Sequence, residues 1–219
     1  FVSPGNRAWG AGDVPKIDYD LEKSRGLLRE ANFEMRGGQD ALELYDTKGN
    51  RVEFTLIVPA EDEARVKMAT VIQEDLAKLG IRMQVAPIET GELSRRIAQS
   101  FDYEAALYGT SVTEPDPSSY ANFLRSSSTT HQWFPKQTKP ATEWEGRIDE
   151  LVVQQSGERD STRRKELFRA AQNILAEQMP VIPIVARHVA AAANKRIGNY
   201  RPSTILPYSM WNVEELFVR

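Results

Sequence analysis

The spacing of apolar residues predicts alternating helices and strands in the first half of the chain. A helix begins after Asp20, a residue suited to N-capping. Alternate positions of 51–59 are apolar, which is the period of a strand with one well-buried face. Apolar residues then recur every three or four positions over 61–79, and this pattern predicts an amphipathic helix that Gly80 brings to an end.

The same alternation continues with a strand over 81–85, a helix over 90–100 and a strand over 103–108. Connections of this length favour parallel neighbours in an α/β sheet, because parallel strands need a long crossover. In such sheets ligands bind beyond the carboxyl ends of the strands. The loop that follows Tyr108 is therefore the first place where we expect a binding site.

The second half of the chain begins with that polar loop and continues with two helices. Residues 109–128 are rich in Ser, Thr, Pro and Asp, which favours turns and extended backbone. Helical periodicity returns over 143–156 and 161–178. The apolar segment 180–185 is predicted to be a strand, and 189–193 is expected to continue the sheet.

The composition supports a globular fold with a sizeable core. The chain has 219 residues, of which 41% are hydrophobic and 27% are charged. No apolar run approaches the roughly 20 residues that a membrane-spanning helix needs. The helical faces supply the residues predicted to form the core: Met68, Ile72, Leu76, Leu79, Leu151, Leu167, Phe168 and Ile174.

Several kinds of chemistry lack the residues that they require. The net charge is −3 with both signs mixed along the chain, so no basic surface for nucleic acid is predicted. The chain has no cysteine, which excludes thiol nucleophiles, thiolate metal sites and disulfides. His131 and His188 lack metal-ligand spacing, and no glycine loop of the phosphate-binding kind is present, so no metal and no cofactor are predicted. Glu143 and Glu145 lie at a predicted helix start, where capping explains them better than acid–base chemistry.

One catalytic arrangement remains as an alternative. Ser111 could act as a hydrolytic nucleophile if His131 or His188 reached its hydroxyl. No Gly-x-Ser-x-Gly elbow presents this serine, and polar groups of a solvent-facing loop are the simpler interpretation. We therefore predict no catalytic residue.

Aromatic residues flank the polar loop. Tyr108, Tyr120, Trp133 and Phe134 lie on either side of it in the sequence. Aromatic walls with a few polar groups suit a small-molecule cleft. A small core that holds the loop in place is an equally good interpretation of the same residues.

The chain resembles, segment by segment and in order, the peptide- and nickel-binding class of solute-binding proteins that serve ATP-driven (ABC) importers. Residues 19–33, YDLEKSRGLLREANF, are similar to that family's tyrosine-aspartate helix ending in Leu-Leu-x-Glu-Ala-Gly-aromatic. Asn32 replaces the usual glycine, and it too can adopt the left-handed cap conformation. Four further segments resemble the family's helix-to-strand junction, cleft loop, next helix, and late helix with its strand: 72–81, 115–117, 148–151 and 164–183.

The resemblance implies the architecture of a periplasmic binding protein. We expect an α/β, periplasmic-binding-protein-like lobe with a mixed, largely parallel sheet flanked by helices. The match covers only the C-terminal part of such proteins, so 1–197 would form the second, C-terminal ligand-binding lobe and 198–219 would return to a missing N-terminal lobe. The expected partners are a small-molecule or oligopeptide ligand, the ABC transporter permease and that missing lobe. The implied location is periplasmic or extracellular, and a lipid anchor on the missing N-terminal part is left open.

The resemblance also implies ligand contacts. Tyr108 would form an aromatic wall, Gly109 would allow close backbone approach, Ser111 and Glu114 would supply polar contacts, and Trp133 would act as a lid. Peptide binders of the family carry an aspartate at the position that matches Ser111, and a neutral hydroxyl cannot pair with a peptide's ammonium group in the same way. A sugar, a capped peptide or another small polar solute therefore fits as well as a short peptide. A ligand-sensing module without a transporter is a further alternative.

Overall fold

The computed structural model describes residues 2–12, 14, 17–38, 41–110, 116–186, 188–204 and 206–219. The chain divides into two compact units. One consists of residues 17–109, and the other combines residues 1–16 with 110–219. Each unit has its own hydrophobic core. We call them the sheet unit and the helical unit.

The sheet unit is built on three parallel strands, as predicted. The central strand β3 (Glu53–Pro59) pairs on one side with β4 (Arg82–Ile88), in register from Glu53 opposite Arg82. On its other side β3 pairs with the short strand β5 (Ala105–Ala106), which gives the order β4-β3-β5. The helix α2 (Glu63–Ala77) connects β3 to β4. The predicted order of strand, helix, strand, helix, strand and the α/β fold class are confirmed.

Both faces of the central strand are covered, whereas the sequence pattern predicted one buried face. Leu56 and Val58 pack with Ala69 of α2, and Ile57 packs with Leu93 on the opposite face. Continuous burial of this kind is typical of parallel sheets with helices on both sides.

Shorter elements complete the sheet unit. The helix α1 (Leu21–Glu30) begins at the predicted cap, because Asp20 accepts a hydrogen bond from the backbone N–H of Lys23. The strands β1 (Glu34–Arg36) and β2 (Glu43–Tyr45) form an antiparallel pair that the sequence pattern did not predict. Three residues are too few to show a strand period, which explains the omission.

A mixed helix follows β4 at the predicted place. The α-helix α3 (Thr90–Arg95) continues into a π-helical turn (Arg96–Ser100). Glu89 caps α3 by accepting hydrogen bonds from the backbone N–H groups of Gly91 and Glu92.

The helical unit is dominated by two long helices. A 3-10 turn (Pro117–Tyr120) leads into the short helix α4 (Ala121–Leu124), and α5 (Glu143–Gly157) then packs against α6 (Ser161–Gln178). Asp160 caps α6 by accepting from the backbone N–H of Arg163. The buried residues of the largest cluster in this unit are Tyr120, Leu124, Ile148, Val152, Phe168 and Leu175.

The predicted strand over 180–185 is wrong. These residues have no strand structure, and Ile182 and Val185 are 69% and 72% exposed. Residues 189–193 do not continue the sheet either. An apolar run becomes a strand only where another backbone pairs with it. No strand among the described residues pairs with this segment. Two-residue strands β6 (Ile197–Gly198) and β7 (Phe217–Val218) form a separate antiparallel ribbon.

The predicted core residues divide into two groups. Leu79, Leu151, Leu167 and Phe168 are buried, as expected. The others, Met68, Ile72, Leu76 and Ile174, are only partly buried. Within the described part of the chain, no helix combines the length and the apolar character needed to cross a bilayer.

Candidate functional site

The carboxyl end of the sheet carries the first predicted site residue, Tyr108. Its ring is partly buried and packs on the cluster that contains Ile57, Leu93 and Ile97. Burial, with a smaller contribution from the neighbouring Tyr103, raises the pKa of the Tyr108 hydroxyl to about 12. The phenol therefore stays neutral and is suited to hydrogen bonding and to apolar contact.

Gly109 lies next to the guanidinium group of Arg65, a residue that the sequence analysis did not single out. Nη2 of Arg65, the end of a flexible side chain, occupies the space that a Cβ atom at position 109 would enter, so the glycine leaves room for the guanidinium group in this position. Nη1 of Arg65 lies 2.8 Å from Oδ2 of Asp62, and the Arg65 side chain remains partly exposed. The available signal was position, because Arg65 lies in the first turn of the helix that follows β3.

A short hydrogen bond joins the loops that follow β3 and β4 at the same end of the sheet. The Thr90 hydroxyl donates to Oε2 of Glu61 over 2.6 Å. This bond is the main reason why the pKa of Glu61 is lowered. The segments that follow the strands at this end of the sheet thus carry a carboxylate, a guanidinium and a phenol, which are polar groups of the kind that small-molecule sites use.

Two predicted site residues, Ser111 and Glu114, lie outside the described residues. The first described residue after them is Asp116. Its carboxylate accepts two hydrogen bonds of 3.1 Å from the guanidinium of Arg164. Burial opposes ionisation of Asp116, but hydrogen bonds from Ser118 and Arg164 outweigh it and lower the pKa. The polar loop is therefore anchored to α6 at Asp116.

Trp133 is the predicted site residue of the helical unit. Its ring is partly buried and packs with the cluster around Phe168. The indole N–H donates to Oε1 of Glu145 over 3.1 Å. Of the other loop aromatics, Tyr120 is a core residue, whereas Phe134 is 53% exposed.

Glu145 collects an unusual number of donors. Its Oε1 atom lies 3.2 Å from Nε2 of His131, 3.1 Å from Nε1 of Trp133 and 2.8 Å from Nε2 of Gln137. Its Oε2 atom accepts from both the backbone N–H and the hydroxyl of Thr142 at 2.9 Å. Burial opposes ionisation of this 3%-exposed residue, but the hydrogen bonds outweigh that effect and lower the pKa of Glu145 to about 2.

The surroundings of His131 bear on the hydrolase alternative. The ring is fully buried, with Nδ1 3.2 Å from the carbonyl oxygen of Phe123 and Nε2 beside Glu145. Both nitrogens lie within hydrogen-bond distance of an oxygen acceptor. His188 is exposed. Among the described residues, no group of three or more His, Cys, Asp or Glu side chains could hold a metal ion.

The predicted site residues do not fall in one unit. Tyr108 and Gly109 belong to the sheet unit, and Trp133 belongs to the helical unit. Their roles in ligand binding stay predictions.

Comparison with known proteins decides the family. Residues 1–132 match the model of the bacterial extracellular solute-binding proteins, family 5 Middle. The chain belongs to this family. The resemblance seen in the sequence motifs is thereby confirmed.

Individual relatives agree with the family match. The di/tripeptide-binding protein 2 of Pseudomonas aeruginosa (strain UCBPP-PA14) is 28% identical over 84% of this chain and 32% of its own length. The solved structure of the oligopeptide-binding protein AppA from Bacillus subtilis, in complex with a nonapeptide, matches with a TM-score of 0.72 at 22% identity over 99% of this chain and 41% of that one. NikA from Brucella suis, solved with Fe(III)-EDTA, gives a TM-score of 0.72 at 20% identity over 96% of this chain and 42% of that one. These structures confirm a periplasmic-binding-protein fold, and the chain spans about a third of the length of the first curated relative.

Proposed function

We propose that this chain is part of the substrate-binding component of an ABC importer, which captures a small polar solute, with a short peptide as the first candidate. The family match over residues 1–132 is the observation that carries this proposal. A relative that is 28% identical is named as a di/tripeptide-binding protein, and this supports a peptide as ligand. The role is recognition and delivery to a permease, in the periplasm or outside the cell.

The charges at the edge of the sheet indicate which part of a peptide would bind there. Arg65 is partly exposed beside Tyr108 and Gly109, and a guanidinium group pairs well with a carboxylate. Ser111 provides no negative charge for an ammonium group. A ligand with a carboxylate and without a free ammonium group, such as an N-acetylated peptide, therefore fits these residues best.

Closure of two lobes around the ligand is part of the proposal. The relatives are about three times as long as this chain, and a ligand held between two lobes is buried on both sides. The exposed apolar side chains of Ile182 and Val185 provide a surface on which the remainder of such a protein could pack.

Calorimetry on the full-length protein tests the proposal directly. We would titrate trialanine, N-acetyl-trialanine, stachyose and Fe(III)-EDTA into the full-length protein and into the 219-residue chain. We expect a peptide to bind the full-length protein at least roughly 100-fold more tightly than this chain, because one lobe supplies only part of the contacts. Equal affinity for the two forms would contradict two-lobe capture, and the absence of peptide binding to the full-length protein would contradict the peptide assignment.

A charge variant sharpens the same experiment. Arg65→Gln should weaken binding of both peptides while leaving the affinity for uncharged stachyose, where measurable, unchanged. Arg147→Gln is the matched control, because Arg147 is an exposed arginine that pairs with Glu150 on the surface of α5. Equal losses for the two variants would remove Arg65 from the proposed site.

A further inference from the structure

We propose that Glu145 is a positioning residue that fixes Trp133 as a rigid aromatic wall whose indole N–H is unavailable to the ligand. The inference rests on the proposed function and on the expectation, implied by the family resemblance, that Trp133 contacts the solute. On this proposal Trp133 is a fixed surface, whereas the resemblance implied a lid. The fixed position limits which ligand groups Trp133 can recognise. Glu145 itself acts through Trp133.

A hydrogen bond to Glu145 holds the indole of Trp133. Trp133 has a single hydrogen-bond donor, its Nε1–H, and this group points at Oε1 of Glu145 over 3.1 Å. A bond to a buried carboxylate is charge-assisted and therefore stronger than a bond between neutral groups. Rotation of the ring toward a ligand would break it and remove a donor from a buried anion.

Neighbouring aromatic rings pack around the ring of Trp133. The Trp133 ring centroid lies 3.7 Å from that of His131 and 5.3 Å from that of Phe123, to which it is nearly perpendicular. Trp144 of α5 stacks on it at 6.2 Å. Three neighbouring rings thus restrict the same side chain that Glu145 anchors, so the part of Trp133 that remains exposed can offer apolar contact only.

The carboxylate of Glu145, which anchors Trp133, is itself held in place. Glu145 is the N3 residue of α5, and its carboxylate and the Thr142 hydroxyl form a reciprocal capping box. Gln137 donates to Glu145 and also accepts from the backbone N–H of Ala141, which fixes the loop before the helix. The start of the loop is fixed as well, since Ser126 binds Asp149 of the same helix through its backbone N–H at 2.8 Å.

The consequence for specificity follows from these contacts. A wall without a donor favours an apolar ligand side chain and adds little for a ligand that has none. Trp133 should therefore discriminate between peptides by their side chains. The peptide backbone would have to be recognised by other groups.

The test compares trileucine with triglycine in the full-length protein. Glu145→Gln places a donating NH₂ group where five donors converge, so it should loosen Trp133. We expect Glu145→Gln and Trp133→Ala to weaken trileucine binding roughly three- to tenfold, with less than about a twofold change for triglycine. Trp133→Phe keeps a ring but removes the N–H that Glu145 holds, so it should weaken trileucine binding as Glu145→Gln does and leave triglycine binding within about twofold. Glu150→Gln, an exposed glutamate on the same helix, is the matched control.

The results separate this inference from the proposed function. Failure of the unaltered protein to bind either peptide would contradict the peptide assignment of the proposed function. If the unaltered protein binds trileucine and Glu145→Gln binds it equally well, the positioning role is wrong. A loss of triglycine binding in Trp133→Phe would show that the ligand uses the indole N–H, which also overturns the inference.

A measurement on the unaltered protein covers the case in which Glu145→Gln does not fold. We expect the indole N–H of Trp133, identified by the signal that is missing in Trp133→Phe, to exchange with solvent slowly in ¹⁵N NMR spectra. Its chemical shift should stay the same when trileucine binds. Rapid exchange, or a large shift on ligand binding, would contradict a fixed wall.

Discussion

The sheet unit and the loop that precedes α5 are held together in opposite ways. In the sheet unit, residues such as Leu56 and Val58 fill the space between α2 and a ladder of backbone hydrogen bonds. In the loop over 125–142, one buried carboxylate, that of Glu145, receives five hydrogen bonds from four residues. Apolar packing spreads stability over many small contacts, whereas the loop depends on a single charge.

The difference has a physical cause. Apolar burial is non-directional, so a side chain of similar volume can replace another at small cost. A buried charge must be matched by donors in the right geometry, and the loss of one member leaves the others unpaired. The two regions should therefore respond differently to substitutions that preserve shape.

The largest effect is expected from removal of the buried carboxylate. Glu145→Ala should lower the free energy of unfolding by about 3–5 kcal/mol, because five donors lose their acceptor. Chemical denaturation followed by tryptophan fluorescence measures this effect. Glu150→Ala is the control and should change stability by less than about 0.5 kcal/mol. Similar values for the two variants would show that the cluster contributes little.

A cavity in the sheet core should cost somewhat less. Leu56→Ala is expected to lower the free energy of unfolding by about 2–4 kcal/mol, whereas Leu56→Met should cost less than about 1.5 kcal/mol because it nearly conserves volume. The same denaturation experiment applies. A methionine variant as unstable as the alanine variant would contradict the view that this core tolerates changes of shape.

The pH dependence of stability separates the two regions further. Hydrogen bonds hold the pKa of Glu145 at about 2 against an ordinary value of 4.5. A lowered pKa contributes stability above pH 4.5, and this contribution disappears as the pH falls to about 2. The shift corresponds to at most roughly 3 kcal/mol.

The measurement compares the unaltered protein with Glu145→Gln between pH 7 and pH 2. The difference in unfolding free energy between the two should be largest above pH 4.5 and should shrink as the pH falls to about 2. His131 is the titratable residue in direct contact with Glu145. A difference that stays constant over this range would show that ionisation of Glu145 does not stabilise the fold.

The smallest effect in this chain is expected at the exposed apolar segment. Ile182→Ser should change the stability of the 219-residue chain by less than about 0.5 kcal/mol, because the side chain is 69% exposed. In the full-length protein, the same variant should lower the unfolding free energy measurably if the rest of the protein packs there. No change in either form would contradict the proposed role of this surface.

Much of the fold could be predicted from local patterns. The period of 51–59 and of 61–79 predicted the strand and helix of the parallel unit, and Asp20 caps the helix that follows it, as expected. These features are local, because periodicity and capping involve residues within a few positions of one another. The order of motifs also identified the family, which the match over 1–132 confirms.

The sequence by itself determined the strand–helix–strand order of the parallel sheet, the cap of α1, the fold class and the family. Only the tertiary structure decided where isolated residues meet: Arg65 contacts Gly109, which lies 44 positions later in the chain, and Glu145 accepts hydrogen bonds from a loop without periodicity. It also decided that 180–185 is not a strand in this chain, because a strand depends on a partner that lies elsewhere in the fold. Local patterns record which face of an element is apolar, whereas long-range pairing depends on how the chain returns upon itself.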